Sequence, residues 1–338
     1  MSLPEAAGRA EIISAIIALW LLAPHAAAGP AQTGSADDWA EPMPLALSSL
    51  LLDADSDGSR IIVVGERGHV LLSDDRGAHW RQVAVPTRST LTAVRIVGGD
   101  HTWAVGHDGL ILHSDDGGFS WARQRQSQEP DRPLLDVWFA DPRHGMAIGA
   151  YGLLLSTEDG GRTWRDHLGS DEGAHANAIA EAPDGTLYIA GEFGSILRSD
   201  DRGRSWQRLP SPYQGSFFGL LALQDGTILV FGLRGHLFRS EDRGISWQRI
   251  ETGTATTLLA GLVRADGSIV IAGLNGALLF SSEEGGRNFQ LEHLSHRRGI
   301  AALIELGPDE LLAVGEGGLI RISARGSAAK ASMTVDTR

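Results

Sequence analysis

The residues of this chain that are able to bind a ligand are mostly charged side chains in or beside turns. The stretch Asp53–Gly58, DADSDG, has aspartates at positions 1, 3 and 5 and glycine at position 6 of a calcium loop. Position 12 of that loop is Val64, where a bidentate glutamate belongs. Two interpretations stay open, a solvated acidic turn and a weak calcium site. We prefer the turn, because the corresponding stretches elsewhere, such as PDG and QDG, are plain hairpin turns.

Arginines and aromatic residues form a second group, which suits recognition of a partner. The candidate partner-binding residues are Arg67, Arg88, Arg234, Arg297, Arg298, Tyr151, Phe193 and Tyr213. The arginines, if they converge, make a basic spot that fits a carboxylate or an acidic peptide, and the aromatic rings supply anchors. The alternative is that solvent-facing arginines and separate aromatic side chains are scattered along the chain without a common role.

Catalysis and metal binding are poorly supported by the residue types. The chain has no cysteine, which excludes disulfides, thiolate zinc sites, a cysteine nucleophile and a lipid on an N-terminal cysteine. His69 and His236 follow turn glycines at equivalent points of two distant repeats, so they make no ligand pair. Two carboxylates suffice for glycoside hydrolysis, and 42 acidic residues leave that possibility open. We predict no catalytic residue, no metal and no cofactor.

These side chains are carried by a repeat that fills most of the chain. Each of the first five repeats reads as an apolar strand, a Gly-X-X-Gly turn, a second strand and a Ser/Thr-X-Asp-X-Gly-X-X-Trp box. The sixth has a degenerate box, and the last, Leu312–Ser323, stops before its box. The opening glycines are Gly65, Gly106, Gly149, Gly191, Gly232, Gly273 and Gly315, which are 41, 43, 42, 41, 41 and 42 residues apart. A period of this length is typical of a four-stranded propeller blade. The sequence therefore predicts an all-β, seven-bladed β-propeller.

The box residues are expected to be structural. The aspartates Asp75, Asp116, Asp159, Asp201 and Asp242 accept hydrogen bonds from turn amides, while the tryptophans Trp80, Trp121, Trp164, Trp206 and Trp247 fill the space beside the turn. The sixth copy has Glu284 and Phe289 at these two positions.

The chain ends are predicted from composition and spacing. Residues 1–28 resemble a signal peptide, with an apolar run over Ile12–Ala23 and a cut after Ala28; an uncleaved anchor and a cytoplasmic tail are the alternatives. Residues 29–38 form a linker, 39–323 the propeller, and 324–338 a disordered tail. Trp39 precedes Trp80 by one period, so Trp39–Pro44 is predicted as the outer strand that closes the last blade. The first strand of blade 1 is expected at Ala46–Leu52.

The net charge of −13 at pH 7 argues against nucleic acid or an anionic membrane surface as the main partner. Together with the predicted signal peptide, it indicates an exported protein of the periplasm or the outside. We expect no membrane span after signal cleavage.

The box in register across a propeller is the Asp-box, or BNR, motif. Combined with VVGERGHVLLSDDRG (Val63–Gly77) and IAGEFGSILRSDDRGRSW (Ile189–Trp206), it resembles the photosystem II stability/assembly-factor family and its bacterial relatives, over about Trp39–Ser323. The resemblance implies a non-catalytic binding or assembly factor for a membrane protein complex. In non-photosynthetic bacteria, it implies a link to exporters of the resistance–nodulation–division kind.

The rival hypothesis is a sialidase-like hydrolase or a glycan-binding propeller, because sialidases share the Asp box. A sialidase needs an arginine triad, a Tyr–Glu nucleophile pair and an acidic aspartate. The Arg-Ile-Pro motif of that family is absent, and none of the three tyrosines has an obvious glutamate partner.

Overall fold

The structure is a computed structural model that describes residues 38–127, 132–168, 173–281, 285–324 and 334–335. Residues Met1–Asp38 and Trp39–Arg338 are separate units, and the second is the propeller. The predicted signal peptide and all of the predicted linker except Asp38 lie outside the described residues. Within the described residues, no helix is long and apolar enough to cross a membrane.

Seven antiparallel sheets follow one another along the chain as the blades of a propeller, which confirms the predicted fold class. Blade 1 contains β1 (Leu51–Ser56), β2 (Ile61–Gly65), β3 (Val70–Ser73) and β4 (His79–Val83). Blade 2 contains β5 (Leu91–Val97), β6 (His101–Gly106), β7 (Ile111–Ser114) and β8 (Ala122–Arg125). Blade 3 contains β9 (Leu134–Phe139), β10 (Gly145–Gly149), β11 (Leu153–Thr157) and β12 (Arg165–Leu168). Blade 4 contains β13 (Ala176–Glu181), β14 (Leu187–Gly191), β15 (Ile196–Ser199) and β16 (Gln207–Arg208).

The remaining blades continue the same meander. Blade 5 contains β17 (Phe217–Ala222), β18 (Ile228–Gly232), β19 (Leu237–Ser240) and β20 (Gln248–Ile250). Blade 6 contains β21 (Leu258–Val263), β22 (Ile269–Gly273), β23 (Ala277–Ser281) and β24 (Phe289–His293). Blade 7 contains β25 (Ile300–Gly307), β26 (Glu310–Gly315) and β27 (Gly318–Ser323). A last strand, β28 (Thr334–Val335), pairs in parallel with β4. The helical segments among the described residues are short 3-10 turns, such as Ala46–Ser48.

The first strands of the blades contact one another around a closed ring, from β1 through β5, β9, β13, β17 and β21 to β25 and back to β1. The second strands of blades 1, 3, 4, 5 and 6 are buried along their whole length, which explains their continuous apolar runs. Seven apolar clusters form the core, and each joins two neighbouring blades. The blades are therefore held to one another by packing as well as by their place in the chain.

In blades 1 to 5 the Asp box lies between the third and fourth strands as a compact hydrogen-bonded turn. In blade 5 the Asp242 carboxylate accepts the hydroxyl of Ser240 at 2.8 Å and the amide of Ser246 at 2.8 Å. The hydroxyl and the amide of Ser246 lower the pKa of Asp242 to about 2, since both bond the charged form. Asp75, Asp116, Asp159 and Asp201 accept the amide four residues ahead in the same way.

The predicted closure by an N-terminal outer strand is wrong. Blade 7 has three strands among the described residues, and Trp39–Pro44 forms no strand. Two prolines, Pro42 and Pro44, lack the amide donor that a ladder needs. The Ala40 amide bonds the Val85 carbonyl at 2.9 Å, and the Met43 amide bonds Gln82 Oε1 at 2.7 Å, so this segment lies along blade 1.

Packing and one arginine join blade 7 to blade 1 in place of that strand. Ile304, Leu312 and Val314 of blade 7 pack against Ile61 and Trp80 of blade 1 in one buried cluster. The Arg321 guanidinium, held by Glu310 at 2.8 Å, also donates to the main-chain carbonyl of Arg76 at 3.1 Å. Arg198 and Arg239, on the third strands of blades 4 and 5, similarly donate to Asp-box carbonyls of the next blade, those of Arg243 and Gly285.

The predicted tail is partly ordered. Ala324 is buried and its amide bonds the carbonyl of Asp309 at 2.9 Å, so it belongs to blade 7. Thr334 and Val335 pair with His79 and Trp80. The rest of the predicted tail lies outside the described residues.

We expect the box tryptophans to differ in what they contribute to stability. Trp80 is 1% exposed and donates its indole N–H to the Gly77 carbonyl at 3.0 Å, whereas Trp206 is half-buried. Trp80→Ala should lower the free energy of unfolding by about 3–5 kcal/mol, because it leaves a large cavity. Trp206→Ala should lower it by clearly less, as measured by urea denaturation. Equal losses, or a larger loss for Trp206→Ala, would contradict this ranking.

Candidate partner-binding face

One face of the propeller is built from the turns between second and third strands and from the connections between blades; we call it the turn face. In each blade the amide after the opening glycine donates to the carbonyl just before the inner strand, as Glu66 does to Leu50 at 3.0 Å. A Cβ on Gly65 would lie 2.3 Å from that oxygen. The same carbonyl lies equally close in all seven blades, which explains the seven opening glycines.

In six blades, one residue of the turn between the second and third strands adopts a left-handed backbone conformation, which is unfavourable for most side chains. The third residue of the Gly-X-X-Gly turn has a left-handed φ in six blades, at Arg67 (57°), Asp108 (60°), Tyr151 (55°), Phe193 (53°), Arg234 (58°) and Asn275 (55°). A left-handed residue followed by a left-handed glycine is a type I′ turn, for which asparagine and aspartate are the usual choices. Arginine, tyrosine and phenylalanine there each cost about 1–2 kcal/mol. The same left-handed conformation occurs at Arg76, Arg202 and Arg243 in the Asp-box turns.

Four of the five predicted arginines are exposed on the turn face without an ion-pair partner among the described residues: Arg67, Arg234, Arg297 and Arg298. Arg297 also has a left-handed φ, of 54°. The main-chain amide of Arg298 donates to the His296 ring at 3.0 Å, which leaves the guanidinium group out of that bond. The turn face therefore holds basic groups that its own described residues do not neutralise.

Arg88 differs from the other four. Its guanidinium pairs with Glu41 at 2.8 Å and donates to the main-chain carbonyl of Trp39 at 3.1 Å. Arg88 therefore fixes the N-terminal segment against the propeller, and its charge is compensated there.

The three predicted aromatic residues differ in how far they are exposed to solvent. Phe193 is 65% exposed and Tyr151 is 47% exposed, on adjacent blades, with Tyr151 packed edge-on against the ring of His175 at 5.0 Å. Tyr213 is half-buried, with its ring 4.1 Å from that of His236 and further contacts to Phe217 and Phe238. Tyr151 and Phe193 are thus presented to solvent, while Tyr213 is part of the packing between blades 4 and 5.

Carboxylates of the turn face are mostly used by the fold. Glu66, Glu192 and Glu316 follow the opening glycines of blades 1, 4 and 7, and each accepts an amide from the adjoining connection. The bonds are to Leu50 at 3.2 Å, His175 at 3.3 Å and Gly299 at 2.8 Å. Of these three connections, the one before blade 7 carries Arg297 and Arg298.

The five arginines are spread unevenly around the ring. Arg67 lies on blade 1, Arg298 lies beside Gly317 of blade 7, and Arg297 lies beside Gly276 of blade 6. Arg234 lies on blade 5, next to blade 4, which carries Phe193. Among the described residues, no contact joins any two of the predicted arginines. The structure therefore has a basic sector that runs from blade 6 through blade 7 to blade 1, and an aromatic sector at blades 3 and 4.

The stretch Asp53–Gly58, for which we preferred a solvated turn over a weak calcium site, is part of a strand as far as Ser56. β1 runs through Asp53 and Asp55, while the expected strand Ala46–Leu52 begins only at Leu51, after a 3-10 turn. Asp53 accepts the amide of Val94, and Asp55 that of Ile96, both at 2.8 Å, across the gap to blade 2. Their oxygens are therefore directed at the neighbouring strand. Within the described residues, no group of three acidic or histidine side chains is placed to hold a metal ion.

Charged residues on the inner strands form a cluster that sequence reasoning missed. Asp136 on blade 3 accepts the amide of Ile179 on blade 4 at 2.8 Å, as Asp53 does from blade 2. Arg95 lies 3.7 Å from Asp55 and interacts electrostatically with Asp53 and Asp136. Burial raises the pKa of Asp53 to about 8 and that of Asp136 to about 6. The sequence does contain a signal for this cluster. Asp53 and Asp136 occupy equivalent positions in blades 1 and 3, where the other five blades have alanine or glycine.

A protein-family profile described as photosynthesis system II assembly factor YCF48 matches residues 32–134 and 124–330 of the chain. The chain belongs to this family. A curated relative, the photosystem II assembly lipoprotein Ycf48 of Synechococcus sp. (strain CC9902), is 33% identical over 84 residues, or 24% of this chain. The chain spans a quarter of that relative, 25% of its length.

Solved structures share the fold at low identity. YCF48 bound to D1 peptide has a TM-score of 0.68 and 18% identity, covering 85% of this chain and 97% of that chain. An ancestral GH74 enzyme has a TM-score of 0.68 and 12% identity, covering 87% of this chain and 47% of that chain. At such identities the likeness concerns the fold alone, and a propeller of this shape serves binding proteins and glycosidases alike.

The inner-strand cluster predicts an unusual pH dependence. Because the pKa of Asp53 is raised to about 8, the native state binds a proton more tightly than the unfolded chain does, with its ordinary aspartate pKa of about 3.9. The stabilisation from protonated Asp53 is complete below about pH 4 and is lost as the pH rises through about 8. Asp55, Asp136 and Arg95 face the same space and set this environment.

Asp53→Asn keeps an oxygen for the Val94 amide and removes the titration. Its melting temperature should therefore fall less than that of the wild type between about pH 5 and about pH 9. Exposed Asp115→Asn serves as the control and should follow the wild type. Parallel melting curves for Asp53→Asn and the wild type would contradict the assignment.

Proposed function

We propose that this protein is a non-catalytic assembly factor that binds a segment of a membrane-protein client on its turn face. The observation that carries the proposal is the exposed set of Arg67, Arg234, Arg297 and Arg298, which has no carboxylate partner among the described residues. Guanidinium groups of this kind bind carboxylates through paired hydrogen bonds. The preferred client segment is therefore acidic, and it meets the exposed rings of Tyr151 and Phe193 at the aromatic sector.

Family membership supports a protein client. The relatives are called photosystem II assembly proteins, and one solved neighbour is YCF48 bound to D1 peptide. For this chain, the client is a membrane protein complex, either photosystem II or an exporter of the resistance–nodulation–division kind. The turn face recognises an acidic segment in both cases, so affinity purification is needed to identify the client.

Glycan chemistry is the weaker alternative. Asp53 and Asp136 have the raised pKa values that a general acid needs. However, a carboxylate oxygen of each accepts a main-chain amide of the adjacent blade at 2.8 Å. Their position between inner strands favours a structural role over hydrolysis.

The test is a crosslinked affinity purification of the tagged protein from envelope fractions. The variant Arg67→Glu/Arg297→Glu/Arg298→Glu reverses the basic sector and should reduce client recovery by about tenfold or more, because several charge-assisted contacts become repulsive. The matched control, Arg162→Glu/Arg165→Glu/Arg202→Glu, changes the net charge by the same amount at exposed sites in or next to Asp boxes. It should recover the client at the wild-type level.

Recovery of an inner-membrane complex with the wild type and the control, but not with the turn-face variant, supports the proposal and identifies the client. Equal recovery with all three proteins would place binding elsewhere. Failure to recover any protein, with retention on a glycan array instead, would favour the alternative.

Export is part of the proposal and has its own test. Cleavage after Ala28 should give a mature protein that begins at Gly29, because Ala26-Ala27-Ala28 has the small side chains that signal peptidase requires. Mass spectrometry of the protein from periplasmic and cytoplasmic fractions measures this directly. Full-length protein in the cytoplasmic fraction would contradict export.

A further inference from the structure

The gap between blades 3 and 4 contains a cavity of about 220 Å³. Its apolar walls come from Leu153 and Leu154 of blade 3 and from Ile189 and Leu197 of blade 4, and the half-buried ring of Trp206 completes them. A cavity of about 150 Å³ with such walls already holds a benzene ring. The space therefore accommodates a single aromatic ring with a short substituent.

The cavity exists because one large side chain is missing from the repeat. The residue that begins the inner strand is Leu51, Leu91, Leu134, Phe217, Leu258 and Ile300 in six blades, and each of these is almost fully buried. The seventh is Ala176, which lines the cavity. At Leu209 and Ile250, the third residue after the box tryptophan is also apolar and buried, whereas the corresponding residue beside the cavity is His167.

Polar groups of the cavity are basic or neutral. Arg204 is exposed at the cavity and has no ion-pair partner among the described residues. His167 bonds Ser156 Oγ through Nε2 at 2.7 Å, and His175 lies 3.7 Å from Glu192. The Ser205 hydroxyl donates to Asp201 Oδ2 at 2.6 Å within the Asp box of blade 4. An apolar hollow with a cationic group suits an organic anion.

We infer that the cavity between blades 3 and 4 is a binding site for a small aromatic carboxylate, with the ring among the leucines and Trp206 and the carboxylate at Arg204. The inference does not depend on the proposed client binding, since the cavity lies between two blades and the predicted arginines of the turn face do not line it. An empty cavity of this kind destabilises the fold. Ala176→Leu restores the side chain that most blades carry and should close the site.

The experiment uses the full chain with phenylacetate as the probe and neutral phenylacetamide as its matched analogue. Binding is followed through the indole N–H resonance of Trp206, assigned with Trp206→Phe, and by calorimetry. Phenylacetate should bind about two- to fivefold more tightly than phenylacetamide, the expected size of one partly exposed charge contact. Arg204→Gln should remove that difference while leaving the ring contacts in place.

Two variants test whether phenylacetate binding requires this particular cavity or occurs in any apolar cavity of similar size. Ala176→Leu should raise the melting temperature and abolish the shift of the Trp206 resonance. Leu258→Ala makes the corresponding gap between blades 5 and 6 without Arg204 nearby, and it should add no phenylacetate binding. The inference is overturned if the wild type does not bind phenylacetate, if Ala176→Leu binds it as the wild type does, or if Leu258→Ala gains an equal second site.

Discussion

The propeller depends on one close backbone approach that recurs in every blade. The opening glycine places its Cα against the carbonyl that precedes the inner strand, at a distance where a Cβ would meet the oxygen at 2.1–2.3 Å. This proximity lets the next amide donate to that carbonyl at 2.9–3.1 Å, which fixes the second strand to the start of the first. Because the backbone there is extended, glycine is required for space and not for a left-handed φ. Any other residue would push the turn away from the ring.

The same constraint explains how a rigid scaffold carries a recognition surface. With the turn held so closely, the chain reverses through a type I′ turn, and in six blades the first central residue of that turn carries a side chain. Asn275 fits that turn without special cost, but Arg67, Tyr151, Phe193 and Arg234 do not. Their strain is carried by the buried strands on either side, so the fold tolerates side chains chosen for binding.

The sequence was sufficient for the number of blades, their strand order and the position of the Asp boxes, because these follow from local patterns with a fixed period. It failed where contacts join distant parts of the chain. Trp39–Pro44 has the right spacing for an outer strand, yet its prolines and the competing acceptors Val85 and Gln82 direct it along blade 1. In the sequence, Asp53 and Asp55 resemble part of a calcium loop. In the fold, they accept the amides of Val94 and Ile96, which lie 41 residues further along the chain.

Within a repeat protein, the positions that depart from the repeat carry the most information about function. Packing alone would place leucine at residue 176 and a small side chain at residue 53, as in most other blades. One departure removes apolar volume and leaves a cavity, and the other introduces a carboxylate that burial opposes. Both departures lower the stability of the fold locally. The apolar clusters at the seven interfaces between blades must therefore offset this loss. Asp53 recovers part of this loss by bonding the next blade, whereas Ala176 recovers none within its own blade. Ala176 is therefore the departure from the repeat that packing explains least, and a ligand bound in the cavity explains it best.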